Sequence, residues 1–97
     1  MPITAVTAIP NDDNLIPAAE AHRRSCMVQF KNSEHFRTTN GVIEAAIAEG
    51  KTKAGVRFLP TVSEQIVRGC VFALQESGYN VEIIAVPGVA TQVNACW

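Results

Sequence analysis

Ninety-seven residues make one domain, and 47% of them are apolar, enough to close a core. A formal charge of −1 gives no net pull toward nucleic acid or an anionic membrane. No apolar run approaches the roughly 20 residues that cross a bilayer, and Met1-Pro2-Ile3-Thr4 opens without the charged stretch and apolar block of a secretory signal.

Residues 1–16 carry Pro2, Pro10 and the polar run Asn11-Asp12-Asp13-Asn14, and read as an extended N-terminal arm. Its sizeable apolar side chains are Ile3, Val6 and Ile9. Alone, such a segment frays. These three residues are therefore candidate contacts with another subunit, and Ile3-Thr4-Ala5-Val6-Thr7 has the composition of a strand that could join an open sheet edge.

Residues 17–97 read as a single α/β domain. Pro17 suits a first helical turn, where its missing N–H costs nothing. Helix-compatible residues run from Ala18 toward Glu49, with Gly50 as the stop. Cys26, Met27 and Phe30 make one apolar stripe, and Val42, Ile43, Ala46 and Ile47 make another. Thr38-Thr39-Asn40-Gly41 between them is poor helix material. The spacing predicts one long bent helix, or two helices with a break near Gly41.

Gly55-Val56-Arg57-Phe58-Leu59 reads as a short strand ended by Pro60. Thr61 and Glu64 have the spacing of a capping box. The helix that follows is expected to bury Val62, Ile66, Val67, Cys70, Val71 and Leu74, and to stop at Gly78. Tyr79 to Val86 is a strand rich in β-branched residues, and Pro87-Gly88 turns the chain. Ala90 to Trp97 alternates, with Thr91, Val93, Ala95 and Trp97 on one face and Gln92, Asn94 and Cys96 on the other. A tryptophan at a strand end removes roughly 200 Å² from water when covered. Trp97 should pin the strand to the helices or to a neighbouring chain, and Val93 and Trp97 join the candidate contact residues.

The order is arm–α–β–α–β–β. It predicts an α/β (α+β) two-layer sandwich: a three-stranded mixed sheet with the helices on one face. The first two strands, joined through a helix, are expected to be parallel with a right-handed crossover, and the last two to form an antiparallel hairpin. The opposite sheet face and at least one edge then stay uncovered, a pairing hazard unless something closes them.

No chemistry stands out. Gly50-Lys51-Thr52 lacks the glycine that a phosphate-binding loop needs five residues earlier, where Ala45 stands, and it follows a helix instead of opening one. His22 and Cys26 share a helix face, but two ligands fall short of a structural zinc site. Glu20, His22, Ser25 and Cys26 fan outward from one helix and need a second wall to converge on a substrate. Arg23, Arg24, Lys31 and Arg37, with Lys51, Lys53 and Arg57, form two basic clusters, but the overall charge balance is not basic. Cys26, Cys70 and Cys96 are scattered and read as small buried hydrophobes, not a disulfide framework.

One stretch has a family look. It runs from Ile43-Glu44-Ala45-Ala46-Ile47-Ala48-Glu49-Gly50-Lys51, through Leu59-Pro60 and the helix Ile66 to Leu74, into Glu76-Ser77-Gly78-Tyr79-Asn80-Val81, and ends in a strand closing on Trp97. From Val42 on, this resembles a group of small tailed-bacteriophage proteins. Their pattern is a helix ending in Gly-Lys, a strand, a helix, a Gly-Tyr-x-Val strand start and a final strand stopping at tryptophan. The more apolar Val56-Arg57-Phe58-Leu59 and the proline-bearing arm depart from that pattern.

The resemblance implies a non-enzymatic structural component of a phage particle, a cement-like head protein or a tail-associated one. It would be made in the host cytoplasm and kept in the virion. No catalytic, cofactor or metal residues are then expected. Partners would be other virion proteins or copies of the chain itself, with no membrane, no small-molecule substrate and no nucleic acid. The residues alone leave another class open: a small cytoplasmic regulatory or ligand-binding α/β domain that acts as a homo-oligomer. An enzymatic reading needs a pocket that brings His22 or His35 beside Cys70 or Cys96.

Overall fold

The computed structural model describes residues 15–97. The elements run α1 (Ala18–Lys31), α2 (Glu34–Ala48), β1 (Lys53–Phe58), α3 (Glu64–Glu76), β2 (Asn80–Val86) and β3 (Ala90–Cys96). The fold is α+β, with one three-stranded sheet and a helical layer. The arm residues Ile3, Val6 and Ile9 lie outside the described residues.

The helical region is two helices, but the break falls at Asn32-Ser33, not near Gly41. The Ser33 hydroxyl donates back to the Phe30 carbonyl at 2.7 Å, and the Ser33 backbone N–H bonds the same oxygen at 3.0 Å. A serine offering its hydroxyl to the last turn ends a helix as readily as it starts one. Phe30 and Phe36 meet edge to face at 5.7 Å across the corner and hold its angle. The Thr38-Thr39-Asn40-Gly41 stretch stays helical. Thr39 donates to the His35 carbonyl at 2.8 Å, so its buried hydroxyl is satisfied within the helix.

Two helices end as their glycines predict. Gly50 and Gly78 take φ of 76° and 96°. Behind them, the Lys51 N–H bonds the Ala46 carbonyl at 2.9 Å and the Tyr79 N–H bonds the Leu74 carbonyl at 3.1 Å. Both ends are Schellman caps. Gly50-Lys51 is thus a helix terminus and not a phosphate cradle.

The start of α3 differs from the expected capping box. Ser63, not Thr61, is the cap, its hydroxyl accepting from the Gln65 N–H at 3.2 Å. Glu64 turns instead to Arg68, 2.9 Å away at i,i+4. Cys70, Val71 and Leu74 are buried as expected, while Val62, Ile66 and Val67 are only half-buried. On α2, Ile43 and Ala46 are buried, but Ile47 is largely exposed.

The sheet order is β1-β3-β2, and every neighbouring pair is antiparallel. The expected mixed sheet is therefore corrected. β1 and β2 do run in the same direction, but β3 lies between them. Inserting β3 gives each outer strand an antiparallel neighbour with in-register pairs such as Val56↔Val93↔Ile83. The hairpin turns on Val86-Pro87-Gly88-Val89, closed by the Val89 N–H to Val86 carbonyl bond at 3.0 Å, with Gly88 at φ 77°.

The core lies between sheet and helices. Ala54, Val56 and Phe58 of β1 and Val93 and Ala95 of β3 meet Phe30, Ile43, Ala46, Cys70, Val71 and Leu74. α2 lies on β1 and α3 on β2, while α1 packs on α3. That last contact is close because of Gly69: a Cβ there would overlap the Cys26 carbonyl and come within 2.8 Å of the Phe30 Cβ.

Candidate docking surface

The two outer strands differ in composition. β1 carries Lys53 and Arg57 in six residues, charges of the kind that keep an outer strand from recruiting another chain. β2, Asn80-Val81-Glu82-Ile83-Ile84-Ala85-Val86, carries one charge in seven. No strand pairs with its outer side among the described residues. Ile83, Ile84 and Val86 are 53%, 48% and 49% exposed, and Val89 in the following turn is exposed as well. Apolar groups thus face water on both sides of an outer strand.

On the helical side, α3 does not fully cover β2. Val67, Val71 and Phe72 of α3 face Ile83, Ala85 and Thr91 across a groove of about 440 Å³. Arg23 of α1 sits over the Phe72 ring at 5.9 Å. Beyond the groove the β2 backbone edge is open.

The other sheet face is different. Asn94, on the middle strand, is 4% exposed although it points away from the helices. It fits because Gly55 beside it has no side chain: a Cβ on Gly55 would lie 2.7 Å from the Asn94 Oδ1. Gln92 donates to that oxygen at 2.9 Å, and Asn94 donates to Glu82 at 3.1 Å. Lys53 approaches the same Glu82 oxygen at 3.7 Å. This polar strap crosses all three strands with its hydrogen bonds made within the chain, so the middle of this face has little to gain from an apolar partner.

The expected contact residues separate. Val93 is 0% exposed, at the centre of the core, and does not reach a neighbouring chain. Val93 alternates onto the sheet face that the helices cover. Trp97 is 41% exposed and meets Tyr79 edge to face at 5.7 Å, while its backbone N–H donates to the Thr52 carbonyl at 2.9 Å. It pins the end of the sheet while keeping an outer surface. The apolar residues that sequence reasoning missed are Ile83, Ile84 and Val86. A signal was present: a strand apolar at consecutive positions has no polar face to give to water.

The polar candidates stay apart. The Cys26 Sγ lies 3.5 Å from the His22 Nε2, and Glu20 is taken up by Arg24 at 2.8 Å. His35 packs on the Phe58 ring at 5.4 Å. Burial pushes the Cys70 thiol up to about 11, against a smaller opposing pull from Thr39. Such a thiol is a poor nucleophile at neutral pH. Among the described residues, no three His, Cys, Asp or Glu side chains gather as a metal-binding group, and no helix is long and apolar enough to cross a membrane.

Comparison with known proteins finds no matching family model, no matching curated protein and no matching solved structure.

Proposed function

We propose that this chain is a structural component of a tailed-phage particle, working by contact with other protein subunits and not by catalysis. The observation that carries the reading is β2. Three large apolar side chains stand half in water on the two faces of an outer strand whose one charged residue is Glu82. A surface of that kind lowers its free energy when another polypeptide covers it, at roughly 25 cal/mol per Å² of apolar area removed from water. The arm supplies the second half of the proposal: in such an assembly, its uncharged stretch before Asp12 engages a neighbouring subunit. The phage assignment draws on the sequence resemblance from Val42 to Trp97.

A homo-oligomer closed through the middle of the uncovered sheet face would have to cover polar groups. The strap of Gln92, Asn94, Glu82 and Lys53 presents polar groups there whose hydrogen bonds are already made.

Quantitative mass spectrometry of purified particles of the parent phage tests the assignment. The expected result is this chain at a fixed copy number per particle, retained through a density gradient. Its absence from washed particles overturns the assignment.

A further inference from the structure

The arm and the β2 edge fit one another as donor and acceptor. Fourteen residues precede Leu15, and none before Asp12 is charged. Within them Ile3–Ile9 is Ile-Thr-Ala-Val-Thr-Ala-Ile, five of whose seven residues (Ile3, Thr4, Val6, Thr7, Ile9) are β-branched. β2 is also seven residues long. A strand of that length and composition can run along the whole free edge of β2 with one face toward the groove of Val67, Val71 and Phe72.

The place where the chain leaves the body bears on whose edge is used. Leu15 is 92% exposed and Ile16 55%, so these two large apolar residues do not fold back on their own domain. Five residues, Pro10 to Asn14, can span at most about 16 Å, which leaves room for the segment before them to reach a second copy. We infer that Ile3–Ile9 of one copy adds as a fourth strand to the free edge of β2 in a second copy, with Ile3 and Ile9 on the face turned toward the α3–β2 groove. This rests on the assembly reading above and names both the acceptor site and its occupant. The exchange leaves a free arm or a free edge at each open end, so it closes as a reciprocal dimer or continues as a chain.

Light scattering over a concentration series of the full-length chain, with variants of each half, tests it. The unaltered chain should gain mass as concentration rises. Val6→Pro blocks the donor, because proline cannot pair in a ladder. Ile83→Lys blocks the acceptor, and Ile84→Lys blocks it from the opposite face of the same strand, both at exposed positions whose folding circular dichroism verifies. Each variant alone should stay monomeric. An equimolar mixture of Val6→Pro and Ile83→Lys should recover a species of twice the monomer mass, since one keeps a working edge and the other a working arm.

A mixture that stays monomeric overturns the inference. Assembly that survives both lysine variants places the acceptor elsewhere and overturns it too, while leaving the virion assignment to the particle measurement. A chain monomeric at all concentrations, whose β2 amides lose hydrogen-exchange protection in Val6→Pro, means that the arm docks on its own body and likewise overturns the exchange. A monomeric chain without that protection overturns docking at β2 altogether.

Discussion

The Asn94 side chain packs against Gly55, with its Oδ1 2.7 Å from where a Cβ on that glycine would stand. This pairing lets a polar side chain be 4% exposed on a sheet face that no helix covers. It makes the middle of that face polar, while Ile84 and Val86 of β2 stay exposed at its edge.

Gly55→Ala should therefore destabilise the protein by about 1 kcal/mol, because displacing the Asn94 amide breaks buried hydrogen bonds worth more than glycine's entropic penalty in a strand. In an Asn94→Ala background the same Gly55→Ala change should become neutral or stabilising. Urea unfolding of the four proteins of this cycle measures the coupling. Equal effects of Gly55→Ala in both backgrounds would contradict the arrangement.

Two other glycines should respond in opposite directions. Gly69→Ala drives a methyl into the Cys26 backbone where α1 meets α3, and should cost about 3 kcal/mol or lose the fold. Gly41 lies exposed inside α2 with nothing near a built Cβ, so Gly41→Ala should stabilise by about 0.5–1 kcal/mol. Thermal midpoints followed by circular dichroism report both signs.

Cys70 predicts a loss of stability in alkali. Burial raises its thiol from 9.0 to about 11, so the folded chain keeps a proton that the unfolded chain releases. The unfolded state binds fewer protons in that window. Stability is therefore complete below pH 9 and falls as pH rises from about 9 to about 11, by about 3 kcal/mol. Cys70→Ala should unfold more easily at neutral pH but show a shallower alkaline decline. Parallel slopes for the two proteins between those pH values would refute the assignment.

Trp97 reports on the end of the sheet. Removing its edge-to-face partner in Tyr79→Ala should shift tryptophan emission to the red and cost about 1–2 kcal/mol, since the aromatic contact and the packing of Tyr79 against the core are lost together. Fluorescence of the single tryptophan measures both quantities in one denaturant titration.

Periodicity and punctuation alone determined the elements of this protein. The helix ends at Gly50 and Gly78, the Pro87-Gly88 turn, the buried stripes of Cys26, Met27, Phe30, Cys70, Val71 and Leu74, and the two faces of the last strand all follow from interactions within a few residues along the chain. Local competition hid the break at Ser33 and the cap at Ser63, because threonine, serine and glycine offered several starts and stops of similar strength. Only tertiary structure decided that β3 lies between β1 and β2, since strand order depends on contacts between residues distant in sequence. That order buried Val93 in the middle of the core and left Ile83, Ile84 and Val86 on an outer strand, and so it moved the candidate contact surface from the last strand to β2.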